Sequence, residues 1–496
     1  MRGIRFFCNT SLRDRCKIAQ LQKTFNRGSN ALAVDMTNSN APLTIDQRGT
    51  GFVRNKFGIV DMGALESTVL DTPEGTAGAD DFVLTYTSTG ASGSMIATVS
   101  SNGGPVVNLG TFPMSSPLTV NGLGGTDSIR IVGTRRHDRF AVGNSTLLSV
   151  NRSRLTLKNV ENRTLARGAG DDYYTFFADS EIGVFTLDES GGGSDTIDFY
   201  STYHKDTSLN LGKSGPQVVV PNGLTLILGS GTAFENANGG FANDTLIGNS
   251  LNNTLTGGHG NDTLTGGGGS DTLWGGWHND TYVFGKAFSP KDDVLIESGP
   301  EVDTLSFSRL TLPVVLNLGS AAIQNVHTDR TLKLNSRATF ENAVGGTAAD
   351  TLNENGLNNT LTAGNGNNIL IGLAGNDILN SRRSRDFLIG GLGLDTLNGG
   401  GNEDILIAGR TTSDNVIASL NDLRTTWVSA DTYAARIASL RAGVGPTGVS
   451  LKAKVNVLND AGEGDVLTGG DETDWYFSAI NDVIADLFAG EVVDLV

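Results

Sequence analysis

Between residues 239 and 283 an aspartate or asparagine recurs at every ninth position, behind a run rich in glycine, and the same count returns between 345 and 407. The first run reads GGFANDTLI, GNSLNNTLT, GGHGNDTLT, GGGGSDTLW and GGWHNDTYV, with Asp244, Asn253, Asp262, Asp271 and Asp280 as sixth residues. Asp377, Asp386, Asp395 and Asp404 hold that place in the second run, and Asn359 and Asn368 interrupt it. If two nonamers close one coil, residues eighteen apart stack about 4.8 Å from each other across a parallel ladder. That aligns Asp244, Asp262 and Asp280 on one edge, with Asn253 and Asp271 on the other. Two carboxylates at this spacing repel by about 3 kcal/mol at an effective dielectric of about 20. No lysine or arginine occurs in 239–283 to offset the repulsion, so an external cation is required.

Glycines complete the donor set. Gly257, Gly258 and Gly260, Gly267 and Gly269, Gly276, Gly375, and Gly391 and Gly393 occupy the first, second or fourth place of a nonamer. Glycine there admits positive φ, so the loop can curl until its carbonyl oxygens face one centre. Hard oxygen ligands on a flexible loop suit calcium, which takes about 6–8 of them, better than octahedral magnesium.

The elements that position these loops follow from the eighth residue. It is Leu246, Leu255, Leu264, Leu273 and Tyr282 in the first run, and Leu352, Leu361, Leu370, Leu379, Leu388, Leu397 and Leu406 in the second. One apolar knob per unit at a fixed period describes a solenoid whose repeats cannot fold singly. A disordered linker of the same composition has no reason to keep that period.

The nonamers resemble the calcium-binding repeats of the RTX (hemolysin-type) family, with pattern G-G-x-G-x-D-x-U-x, U being a large apolar residue. The closest units are GGHGND ending at Asp262, GGGGSD at Asp271 and GGLGLD at Asp395; GGWHND at Asp280, GLAGND at Asp377, GGGNED at Asp404 and GGFAND at Asp244 follow. The resemblance implies a parallel β-roll in which six residues form a calcium loop, three form a strand, and each ion lies between neighbouring loops of one edge. Carried onto this chain, it makes the aspartates just named and the glycines above the calcium ligands. The unit SRRSRDFLI, 381–389, lacks glycine and carries three arginines; no ion is expected beside Asp386, although Leu388 keeps the core register. A solenoid that has lost its metal remains an open alternative for the second run.

The fold expected is all-β, a parallel β-roll or β-solenoid with a short α-hairpin near the C-terminus. Five segments are expected: 1–66, 67–166, 167–297, 298–409 and 410–496. Within the first, TIDQRGTGFVRNKFGIVDMGALE resembles the last coil of right-handed parallel β-helix surface proteins, which makes a larger parent protein an expectation. The second holds degenerate repeats, with Asp127 read either as a ligand or, more simply, as a turn residue. A longer duplication overlies the nonamers: GDDYYTF and HNDTYVF are each followed by ESG and DT(I/L)xF, both at an offset of 108 residues. In the last segment Leu420, Leu423 and Trp427, then Tyr433, Ile437 and Leu440, fall at helical spacing, with Asp414 and Asp431 as N-caps. DAGEGDVLT and GGDETDWYF restore the nonamer register at Leu467 and Tyr476, closing the solenoid and shielding its edge strands. Asp465 and Asp474 there are either ligands or an acidic cap.

Glycine makes up 66 of 496 residues and the formal charge is −17. Both disfavour the ordered state, so folding is expected to depend on calcium binding by mass action. The acidity argues against nucleic acid as a partner, and no stretch has the length of a transmembrane segment. Cys8 and Cys16 both precede the repeats, so disulfides do not hold them. No apolar signal-peptide core is visible near the start; the terminal GEVVDLV resembles the C-termini that type I secretion machinery reads. No catalytic motif is found among the five scattered histidines, and His259 and His278 fall at loop positions where surface side chains are expected. The chain is therefore expected to be a non-enzymatic, secreted or surface calcium-binding protein that acts in matrix or adhesion, with surface polysaccharide or other surface proteins as partners. The alternative is the C-terminal calcium-dependent region of a larger secreted enzyme acting on polysaccharide.

Overall fold

In the computed structural model, residues 55–56, 59–60, 73–87, 93–167, 169–285, 291–297, 299–336, 339–460 and 462–496 are described. The expectations for Cys8, Cys16 and all but four residues of the 26–66 segment lie outside them. The chain divides into two compact units, one comprising 1–132 and 152–163 and the other 133–151 and 164–496.

In the first unit Asp80–Tyr86, Ser94–Ser101 and Val107–Pro113 form an antiparallel meander, and Asp80–Tyr86 also pairs in parallel with Ser128–Val132. Alternate residues such as Phe82, Leu84, Met95, Ala97, Ile129 and Ile131 are buried, the period-2 pattern of a sheet with one apolar face.

The second unit is the solenoid, and every nonamer contributes its last three residues as one strand. Thr245–Ile247, Thr263–Thr265 and Thr281–Val283 stack in parallel, with Leu246, Leu264 and Tyr282 in register. On the other face Thr254–His259 and Thr272–Trp277 stack with Leu255 opposite Leu273. Two nonamers therefore make one coil. The ladder through Thr245–Ile247 continues by Thr304–Ser306 and Asn342–Val344 into the second array and on to Val466–Asp471. Residues 133–151 belong to this unit because Arg139–Val142 pairs in parallel with Tyr173–Phe176.

All twelve eighth-position residues are 0–1 % exposed. Removing three carbons from one of the leucines opens a cavity that flanking coils cannot fill. Leu264→Ala in calcium-saturated protein is expected to cost about 2–5 kcal/mol, read as a lowered denaturation midpoint.

Helix α1, Ile417–Trp427, and helix α2, Tyr433–Ala442, form the hairpin. Leu420, Leu423, Trp427, Ile437 and Leu440 are buried together with Ile369, Ile371, Phe387, Ile389, Ile405, Ile407, Trp475 and Phe477. The hairpin thus covers the face of a sheet, while the edge strands Thr396–Gly401 and Ile405–Ile407 are covered, as expected, by the two nonamers that follow it. The reason for the hairpin's position is local: strands ILI, FLI and ILI carry apolar residues at the seventh and ninth places, where the opposite ladder has polar ones such as TLT. The cap assignments differ from those expected. The N-cap of α1 is Val416, with no side-chain cap, and Asp414 turns instead to the Thr411 N–H at 3.0 Å. Thr432 caps α2, accepting from Ala435 N at 3.3 Å, while Asp431 accepts from Ser429 Oγ. Beyond the hairpin Leu467 stacks on Leu397 and Tyr476 on Leu406. Val492–Leu495, within GEVVDLV, extends the ladder as a strand parallel to Trp475–Ser478.

Candidate metal centre

Each loop aspartate is placed by the strand that follows it, because the buried eighth residue two positions on fixes its height in the stack. One carboxylate oxygen then caps the coil before. Asp262 Oδ1 accepts from Asp244 N at 2.7 Å and Asp280 Oδ1 from Asp262 N at 2.7 Å. Asp271 Oδ1 accepts from Asn253 N at 2.8 Å. In the second array Asp377, Asp395 and Asp404 cap Asn359, Asp377 and Asp386 at 2.9, 2.9 and 2.7 Å. The expected stacking of Asp244, Asp262 and Asp280 on one edge, and of Asn253 and Asp271 on the other, is observed.

The second oxygen is the informative one. Oδ2 of Asp262, Asp280, Asp395 and Asp404 is buried and receives no hydrogen bond. It points at the first glycine of its own nonamer. A Cβ on Gly257 would lie 2.2 Å from Asp262 Oδ2 and 2.5 Å from the Gly275 carbonyl oxygen, and one on Gly390 would lie 2.6 Å from Asp395 Oδ2 and 2.5 Å from the Ala408 oxygen. The first glycine therefore leaves room where oxygens of two coils converge. Second and fourth places serve the curl: Gly258, Gly260, Gly267, Gly269, Gly276, Gly375, Gly391 and Gly393 all have φ between +96° and +126°. His278, in a fourth place, keeps φ +80° without being glycine.

Burial, with neighbouring acids adding to it, holds these carboxyls above the usual range: Asp262 is pushed up to about 9 and Asp395 to about 8. Asp280 rises to about 7 and Asp377 to about 6, chiefly by burial. Asp404 lies well above its ordinary value, and Asp244 is raised. Burial raises Asp293 as well, but its oxygens are both partnered: one caps Asp271 N at 3.0 Å and the other is paired with the Arg330 guanidinium. In place of a first glycine Asp386 has Ser381, whose hydroxyl donates to the Gly399 carbonyl.

Buried, donor-less carboxylate oxygens beside carbonyls, in a cradle closed to any side chain, are the donor set of a hard cation. Calcium fits these residues. Without an ion, each site is a cluster of like charges in a low dielectric.

The same arrangement recurs outside the nonamers. Asp127 is 0 % exposed, and its Oδ1 accepts from Asp80 N at 2.8 Å, so it is a coil residue and not the simple turn aspartate expected. His259 is half-buried at the surface between Phe241 and the exposed Trp277, its ring centroid 4.5 and 6.0 Å from theirs. Third places of alternate nonamers thus form an aromatic ladder, and their spacing of eighteen was the signal for it.

Fold and site together define a parallel β-roll of stacked cation-binding loops. The family described as the RTX calcium-binding nonapeptide repeat matches four times, at residues 238–273, 260–286, 355–388 and 383–411. Both arrays therefore carry RTX calcium-binding repeats. A search of curated proteins found no match to the chain.

The cradle can be tested by filling it. Gly257→Ala is expected to displace Asp262 Oδ2 and weaken calcium uptake at that loop at least tenfold, about 1.4 kcal/mol or more. Gly268→Ala, whose Cβ would meet nothing nearer than 3.5 Å, is expected to leave the isotherm unchanged.

Proposed function

We propose that the protein is a non-enzymatic, secreted or surface-bound calcium-binding β-roll that folds when it meets extracellular calcium and serves in matrix or adhesion. The observation that carries this reading is the row of buried Oδ2 atoms converging on first-position glycines, with no basic residue in 239–283 to neutralise them. Such loops hold together where calcium is millimolar and repel where it is scarce, which supports a working state outside the cell. The terminal segment containing GEVVDLV serves as the contact for type I secretion machinery, and surface polysaccharide or other surface proteins are the partners. Among the described residues no helix is long and apolar enough to cross a membrane.

Calorimetric titration of the full chain with calcium tests the binding. Wild type is expected to take up several ions, and the double variant Asp262→Ala, Asp395→Ala at least two fewer. Antibody detection in the culture fluid and on unpermeabilised cells tests the location. A flat calcium isotherm, or protein confined to the cytosol, would overturn the corresponding half of the reading.

A further inference from the structure

Two groups of three carboxylates stand at the junctions between narrow nonamers and wide coils. Asp280, Glu297 and Asp303 bring carboxylate oxygens within 4.8 Å of one another, and Asp172, Glu189 and Asp195 do the same at an offset of 108 residues. Each group joins a loop aspartate, the aspartate stacked on it in the next coil, and a glutamate. Asp303 Oδ1 accepts from Asp280 N at 2.8 Å, as Asp195 Oδ1 does from Asp172 N. The pairing of Trp274 with Ile296 brings Glu297 opposite Gly275, so a side chain stands where a further coil would offer a glycine carbonyl.

Oxygens of Asp280 and Glu297 point at one place. A Cβ on Gly275 would lie 2.1 Å from Glu297 Oε1 and 2.2 Å from Asp280 Oδ2. Asp280, Glu297 and Asp303 are 1, 4 and 4 % exposed, and Asp280 Oδ2 receives no hydrogen bond. Tyr282 donates its hydroxyl to Glu297 Oε1, and Tyr174 does so to Glu189 Oε1, so the orientation of the glutamate is duplicated along with the acids. The other charged neighbours are Glu301 and Glu341, and Arg330 is committed to Asp293. Asp280, Glu297 and Asp303 face one another with acids around them, and no counter-charge stands beside them among the described residues.

We propose that Asp280, Glu297 and Asp303 form an all-carboxylate calcium site in which Glu297 and Asp303 are added to the loop ligand Asp280 at the end of the first nonamer run; beside Asp172, Glu189 and Asp195 the place of Gly275 is taken by Arg167, in register with Glu189, and that group is left out of the proposal. The proposal rests on the calcium reading above. It adds that this site is stronger than the other loops, because affinity rises with ligand charge. The ion pins the wide coil to the nonamer run beside it and is the last to leave on chelation.

The test is a calcium titration of metal-free, full-length protein. Glu297→Gln, which keeps the acceptor for Tyr282, is expected to bind one tight ion fewer with the weaker phase unchanged. In metal-free buffer Glu297→Gln should unfold no earlier than wild type, since a buried charge has been removed, while its gain in midpoint on adding calcium should shrink. A glutamate that only orders Tyr282 would not separate the two states in this way. Should Glu297→Gln fail to fold, Asp303→Asn, which preserves the acceptor for Asp280 N, is read by the same titration. A variant that folds and keeps the wild-type number and affinity of ions overturns the proposal and leaves the loop sites standing; wild-type protein that takes up no calcium overturns both.

Discussion

Removal of calcium from the full-length chain is expected to abolish most of its β circular dichroism and to open residues 239–283 and 345–407 to protease, and millimolar calcium is expected to restore both. The size of the effect follows from the stacking. Most coils align a carboxylate with those of their neighbours, and the Oδ2 atoms of Asp262, Asp280, Asp395 and Asp404 have no donor among the described residues. An ion present at a thousand times its dissociation constant stabilises the folded state by about 4 kcal/mol. Two or three such ions equal the whole stability of an ordinary domain, about 5–15 kcal/mol. Because each coil is templated by the one beside it, the loss propagates along the solenoid instead of staying at one loop. Spectra that coincide in EGTA and in calcium would contradict this account. Parallel spectra of Leu264→Ala separate metal dependence from simple fragility: that variant loses stability in both states, whereas the metal effect belongs to one.

Much of the coil was legible because two independent signals shared one period. Leu246, Leu264 and Leu361 report the core, Asp244 and Asp262 report the loop, and their joint recurrence specifies strand length, register and the two edges. The α-hairpin was legible from the spacing of Leu420, Leu423 and Trp427. Its docking was not inferred, although Ile369, Ile371, Ile405 and Ile407 carried the signal: a strand apolar at three consecutive places has both faces covered. Helix caps were misassigned because Asp414 and Asp431 have nearer donors in Thr411 and Ser429, and local side-chain bonds compete with capping. Glu297 and Glu189 were visible only as part of a repeated ESG. The role of Glu297 depends on a strand register that sets it opposite Gly275 across a wide coil of irregular length, and no fixed period announces such a pairing.

Metal-free protein is expected to lose stability steadily between about pH 4 and pH 9, the reverse of ordinary acid denaturation. Unfolded aspartates titrate near 3.9. In the folded, metal-free coil, burial raises Asp377 to about 6, Asp280 to about 7, Asp395 to about 8 and Asp262 to about 9. Groups raised on folding bind more protons in the native state, so their contribution is complete below the unfolded value and disappears as pH passes through the folded ones. Calcium inverts the dependence, because an ion occupies the site only after the protons have left it. Dialysed, metal-free protein should therefore keep a β signal with a measurable urea midpoint at pH 4.5, a lower one at pH 6, and lose the β signal itself towards pH 7.5 and 9, while the urea midpoint in millimolar calcium should rise over the same series and then level. At pH 6, calorimetry in two buffers of different ionisation enthalpy should detect protons released with each ion bound. Metal-free stability that climbed with pH would mean that the buried aspartates already possess partners of opposite charge, and that calcium is not what relieves them.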